Sequence, residues 1–303
     1  MDSINVLTFN MWGVPVGEFS KFALVVIMVS MGLTLSVSNF SYVIKRPGPI
    51  FVGLGGQLLL LPLVGFILCL VFDLRADIAV GLMIIASCPG AATSNFMTYL
   101  ARGELALSIT LTAVTGLITV FTIPLILDFS LSFFELDAQG VSLPILSTIW
   151  NIFLLTGLPV IFGMLIRHYF PSLAELLEKI LTPLSFLALL SVMFMTLREI
   201  WPILGDLLRE ALAPVFLLNL IMVTLGLLAA RSFGFASRTI STIGIEVGFQ
   251  NYVLGIVIAL GMLQEPRMSI PAIIYLFSMY VTAIIIIVVS RKRHKQIDQK
   301  APG

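Results

Sequence analysis

Charge is scarce in this chain. Of its 303 residues only 11% are Asp, Glu, Lys or Arg, where soluble domains carry about 25%. So few charges cannot cover the surface of a soluble globular protein of this length, and that class is excluded. Histidine and cysteine are scarcer, with two of each. Cys69 and Cys88 both fall inside apolar runs, which reads as packing and not as a disulfide or a metal pair. His168 and His294 fall in polar flanks and read as surface residues. No CxxC, HExxH, phosphate-binding glycine loop or GxSxG occurs, so zinc, nucleotide and serine-hydrolase chemistry have no carrier. No enzyme, no organic cofactor and no nucleic-acid partner is expected. The first 18 residues lack a basic stretch followed by an apolar core, so no cleavable signal is expected.

What is abundant is hydrocarbon: 59% of residues are hydrophobic and mean hydropathy is +1.09. Nine apolar segments recur, at 19–39, 49–72, 77–100, 104–128, 143–166, 180–198, 209–230, 237–262 and 269–290. Each is long enough to cross a bilayer of about 30 Å. The reading is an all-α polytopic membrane protein with lipid as its solvent, built as one compact transmembrane unit over 19–290. Residues 1–18 precede it, and the polar tail 291–303 is expected to be disordered. With that tail in the cytoplasm, nine crossings put the N-terminus outside. Twelve Lys and Arg then lie inside and five outside, the asymmetry of the positive-inside rule.

Two segments violate the rule that lipid-exposed backbone must be continuous helix. The third carries "SCPGAATSN" (87–95), where Pro89 removes a donor and Gly90 frees the backbone. The eighth carries "STIGIEVGFQNYVLG" (241–255), with Glu246 near mid-depth between Gly244 and Gly248. An ionisable side chain at the bilayer centre costs about 3 kcal/mol on insertion scales and by default marks function. The two segments lie five apart and so cross in opposite directions, as an inverted repeat requires.

Broken helices at mid-depth offer N–H groups to anions, and carbonyl and side-chain oxygens to cations. Ser94, Asn95, Glu246, Gln250 and Asn251 supply such oxygens. Ser108 and Thr112 add two more on one helix face, being four apart. Gln57 is an isolated amide in "GLGGQLLLLP". Bland readings exist for several of these. Pro62, Pro124 and Pro159 read as kinks, the hydroxyls could bond back to their own helices, and the Met-rich "VVIMVSMGLTL" reads as packing.

At these residues the chain resembles the bile acid:sodium symporter family. "SCPGAATSNFMTYLARGELALSITLTAVT", "EVGFQN" and "MGLTL" carry the resemblance, in matching order over essentially the whole length. It implies a panel of segments one, five and six (19–39, 143–166, 180–198), and a core of the rest (49–72, 77–128, 209–290) with two crossed discontinuous helices. It implies a first sodium site at Ser94, Asn95, Ser108, Thr112 and Glu246. A second is implied at Gln57, Glu246, Gln250 and the carbonyls of Val247 and Phe249. Family members with an extra N-terminal helix have ten spans, one more than this chain shows. After the proline a common family pattern has two glycines and a threonine; here stand Gly90, Ala91 and Ala92.

The expected activity is symport of sodium, the coupling ion, with an organic anion, a carboxylate or sulfonate. The anion is expected near Ala92, Thr93 and Asn251, and the location is a bacterial inner (plasma) membrane. Two alternatives stand beside it: a proton-coupled exchanger or efflux carrier with Glu246 titrating, and a non-transporting sensor that binds sodium and ligand.

Overall fold

The computed structural model describes residues 10–11, 14–36, 42–136 and 144–300. Two-residue strands, Asn10–Met11 and Val14–Pro15, pair antiparallel ahead of the first helix. The rest of the described chain is helical. Helix α1 covers Val16–Thr34, α2 Pro47–Gly55 and α3 Leu61–Val71. The first broken segment follows as α4 (Ala76–Ser87) and α5 (Thr93–Leu100), and then α6 (Leu105–Phe133). Next come α7 (Ile145–Ile152), α8 (Leu158–Tyr169), α9 (Pro171–Ile200) and α10 (Leu204–Ser232). The second broken segment is α11 (Ser237–Gly248) and α12 (Tyr252–Ile256), and α13 (Ile270–Lys300) closes the order.

Among the described residues, seven helical rods are long and apolar enough to cross a membrane: α1, α2–α3, α6, α7–α8, α9, α10 and α13. The remaining two apolar segments are each divided, as the sequence leads one to expect. Two rods contain a widened, π-helical turn, at Gly56–Leu60 and Phe153–Gly157. Each turn ends two residues before a proline, Pro62 or Pro159. A proline ring presses on the carbonyl one turn back and offers no N–H, and a widened turn absorbs both defects without ending the helix. Pro124 sits inside α6 without such a turn.

The tail departs from expectation. Residues 291–300 continue α13 as helix instead of being disordered. The stretch "RKRHKQIDQK" has no glycine or proline and is rich in good helix formers, so an established helix extends through it at little cost. Likewise α9 begins at Pro171, well ahead of the apolar segment 180–198, because proline is favoured in a helix's first turn.

Packing has two main neighbourhoods, joined where α1 meets Val257–Met262 and where α6 meets α7. Helix α1 lies against α8 and α9, so close that a Cβ on Gly163 would stand 2.5 Å from the Val29 carbonyl oxygen. Elsewhere α10, α11 and α13 pack on one another, and α4 packs on α3, α6 and α13. The two helices leading into the breaks are the most enclosed. Every residue from Ile78 to Ser87 of α4 and from Ser241 to Gly248 of α11 is buried.

Contacts also define two ends. At one, Arg75, Asp77, Glu210 and Arg267 meet: the Arg75 N–H donates to Glu210 at 3.0 Å, and Arg267 lies 3.7 Å from Asp77. At the other, Arg46 lies 3.7 Å from Glu104, and the Arg291 guanidinium donates to the Leu100 carbonyl at 2.7 Å.

Candidate functional site

The two breaks meet. The Asn251 N–H donates to the Pro89 carbonyl at 2.8 Å, and Ala91 N–H to the Phe249 carbonyl at 3.4 Å. Gly90 and Gln250 form an antiparallel bridge between them. Each extended stretch therefore supplies the hydrogen bonds that the other lacks, which removes a penalty of several kcal/mol per orphaned group in an apolar interior. Pro89 fits because its carbonyl is used and its missing N–H is not needed.

Glu246 lies nine residues into α11, about 14 Å along the axis at 1.5 Å per residue, and is fully buried. Three hydroxyls donate to its carboxylate. Ser94 on α5 reaches Oε1 at 2.5 Å, Thr112 on α6 reaches Oε2 at 2.9 Å, and Ser108 on α6 also bonds Oε1. Asn95 Oδ1, 2.8 Å from Ser108 Oγ, is an alternative acceptor for the same proton, and the Ser94 and Thr112 oxygens stand 3.3 Å apart. All five residues of the first expected cluster are thus in one connected group drawn from α5, α6 and α11. A hydrogen bond to a charged group contributes about 1.5–3 kcal/mol, so three of them offset the cost of burying a carboxylate.

Beside this group lie two amides. Gln57 sits in the widened turn after α2, where Gly56 lets the backbone approach α11; a Cβ there would stand 2.8 Å from Val247 Cγ2. The Gln57 amide donates to the Glu246 carbonyl at 2.6 Å, and the Gln250 amide to the Val247 carbonyl at 3.0 Å. Both amide oxygens, Gln57 Oε1 and Gln250 Oε1, are buried with no hydrogen-bond partner. Two orphaned acceptors in one place are what a small cation would satisfy, and a donor set of oxygens alone fits sodium chemistry. Among the described residues no group of three or more His, Cys, Asp or Glu could hold a transition metal.

The breaks also floor a cavity. Pro89, Gly90, Thr112 and Asn251 line it on one side, and Met28 of α1 with Thr156 of the turn before α8 on the other. Asn251 is therefore both at the break and in the cavity wall, while its side chain caps α12 by accepting from the Leu254 N–H at 3.1 Å. Ala92 and Thr93 are half-buried next to the break but do not line this cavity. Cys69 and Cys88 are free and buried, and His168 is exposed.

Sequence reasoning missed a supporting layer. Asn219 on α10 donates to the Gly248 carbonyl at 2.7 Å and accepts from Thr282 at 2.8 Å, and Tyr275 donates to the same carbonyl at 3.1 Å. Asn219 was visible as a lone amide in "PVFLLNLIMV", the same signal that singles out Gln57. The cavity residues Met28 and Met31, read as packing, and Thr156 carried no signal.

A bundle of membrane-length helices with a fully buried carboxylate and paired helix breaks is a multi-pass integral membrane protein with a polar centre in its interior. The chain belongs to the Sodium Bile acid symporter family, whose model matches residues 21–207. It is 27% identical over 268 residues to the probable sodium/metabolite cotransporter BASS1 of Arabidopsis thaliana, covering 87% of this chain and 64% of that protein. It is 28% identical to the uncharacterized sodium-dependent transporter YocS of Bacillus subtilis, over 82% of this chain and 76% of the relative. The human ileal sodium/bile acid cotransporter is 32% identical over 56% of this chain and 49% of its own length. The chain thus spans less than two thirds of the Arabidopsis relative's length.

Proposed function

We propose that this protein is a secondary transporter that couples sodium entry to uptake of an organic anion, a carboxylate or sulfonate, by alternating access. The observation that carries the reading is the Glu246 carboxylate, fully buried and bonded by hydroxyls from two other elements beside the paired breaks. The names of the Arabidopsis, Bacillus and human relatives, each sodium-dependent or a sodium cotransporter, support it.

In this reading one sodium ion is held by Ser94, Asn95, Ser108, Thr112 and Glu246. A second is held by Gln57, Gln250, Glu246 and the Val247 and Phe249 carbonyls. A hydroxyl can donate or accept, and Thr112 has an alternative acceptor in the Ser108 carbonyl at 3.1 Å. Turning its proton there frees lone pairs on Thr112 and Glu246 for the cation. Sodium then cross-links α5, α6, α11 and the turn after α2, fixing the paired breaks. The anion binds in the adjoining cavity at Asn251, with Ala92 and Thr93 near the helix N-termini. Of nine crossings, counting each divided segment as one, a panel of α1, α7–α8 and α9 moves against a core made of the rest; the packing of α1 on α8 and α9 supports that division. The basic end at Lys45, Arg46, Arg102 and Arg291 faces the cytoplasm by the positive-inside rule, with the N-terminus outside, in a bacterial inner membrane.

Two sodium ions with one monovalent anion carry net positive charge inward, worth about 2.3 kcal/mol per charge at 100 mV. The test is uptake of organic anions by proteoliposomes under an imposed sodium gradient. Uptake that needs sodium and rises with an inside-negative potential supports the reading. Uptake that proceeds with potassium in place of sodium, driven by a pH gradient, would assign the coupling to protons.

A further inference from the structure

The polar centre does not stop at Ser108. Four residues earlier, at the extended position just before α6, stands Glu104. Its N–H donates to Thr242 Oγ1 at 2.7 Å, and its carboxylate accepts from Thr239 Oγ1 at 2.8 Å. Thr242 is one turn from Glu246 on α11. Thr98, one turn from Ser94 on α5, is fully buried and its hydroxyl has no partner. These residues make a seam of oxygens between α5, α6 and α11, running from Glu246 to the basic end. Gly103 packs directly on it and holds it closed in this conformation, since a Cβ there would stand 2.6 Å from Thr242 Oγ1 and 2.8 Å from Thr98 Cγ2. At its mouth, Tyr42 donates to Glu104 Oε1 and Arg46 lies 3.7 Å from the same oxygen.

We propose that Glu104 is a transit site for sodium, through which the ion leaves the Glu246 centre toward the basic end, with Tyr42 and Arg46 closing the mouth. The inference rests on the sodium-coupled reading above and deepens it. Its main rival is a purely structural tie that fastens residues 42–46 to the start of α6. The charge distribution decides between them. Lys45, Arg46, Arg102, Arg231, Arg238 and Arg291 all belong to this end, and a cation emerging among them is repelled. Glu104 is the carboxylate at the mouth that lowers that barrier, and a tie alone would not need to sit in line with two oxygen ladders. Tyr42 suits a lid, because burial and its bond to Glu104 push its phenol up to about 12, so it remains a donor at physiological pH.

The experiment uses the full chain, purified and reconstituted, with 22Na+ as probe. Equilibrium binding is measured, and then release on rapid dilution into potassium. Glu104→Gln is expected to keep its equilibrium affinity within about threefold while release slows about tenfold, a barrier change of one decade. Tyr42→Phe, which loosens the lid, is expected to release faster than wild type. Opposite shifts in the two variants are the signature, since a structural tie would lower thermal stability in both and separate neither rate. Wild-type release from Glu104→Gln, or rates that move together in both variants, overturns the transit site while leaving the parent reading intact. Absence of sodium binding in the wild type overturns the parent reading and this one with it.

Discussion

The backbone N–H of Asn251 donates to the carbonyl of Pro89 at 2.8 Å. These residues are far apart in sequence, and each sits in a segment that would be a faulty membrane helix alone. Together they make the fault tolerable. The extended stretches satisfy one another, and the ends they expose bring Ser94, Ser108, Thr112 and Glu246 into one group.

Gly90 is the point where this arrangement has no spare room. A Cβ there would meet Gln57 Nε2 at 3.1 Å and Glu246 Oε2 at 3.4 Å. Gly90→Ala is therefore expected to push both groups outward and weaken sodium binding about tenfold, with the fold retained. Sodium titration of thermal unfolding measures it, and an unchanged half-saturating concentration would contradict it.

Asn219 and Tyr275 both spend their donors on the Gly248 carbonyl. Removing one donor leaves a buried acceptor half satisfied, and a lost buried bond costs about 1–3 kcal/mol. Tyr275→Phe is expected at the low end and Asn219→Leu at the high end, because Asn219 also holds Thr282. Unfolding midpoints in detergent report the order, and equal midpoints for both variants would contradict it.

The contact of α1 with α8 depends on Gly163 having no side chain. A Cβ would stand 2.5 Å from Val29 O and 2.8 Å from Gly32 Cα. Gly163→Val is expected to destabilise the protein by about 1–3 kcal/mol, the usual range for overpacking. Recovery of folded protein by size-exclusion chromatography tests this, with wild-type yield and midpoint as the contrary result.

Glu265 lies in the loop ahead of α13, where burial, with the Asp77 charge adding, raises its pKa and Arg267 opposes the shift. A carboxyl whose folded pKa lies above its unfolded value loses stability as pH rises through that window. Glu265→Gln removes the loss, so its unfolding midpoint should exceed wild type at pH 7 and match it below about pH 4. A lower midpoint at pH 7 would show that the pairing with Arg267 dominates.

Much of the polar centre was legible because its residues break a pattern. Glu246, Gln57 and the Pro89–Gly90 pair stand out against hydrocarbon, and Ser108 and Thr112 share a face by spacing alone. The helical segments were legible for the same reason, although not their ends. Apolar length marks where a helix enters lipid and says little about where it stops, so α9 starts earlier and α13 runs on through charged residues. The crossing of the two breaks was implied by the family resemblance, but the hydrogen bonds that pair them were not legible, since they are made by backbone atoms that every residue has. Nor were the widened turns, which follow from Pro62 and Pro159 but are placed by packing.

The most direct test of the proposed sodium centre is equilibrium 22Na+ binding to purified wild-type protein and to Glu246→Gln, with potassium as competitor. The expected result is saturable binding by the wild type that potassium does not displace, and loss of that binding in a variant that still folds. Equal binding by both proteins, or no sodium-specific binding by the wild type, would contradict it.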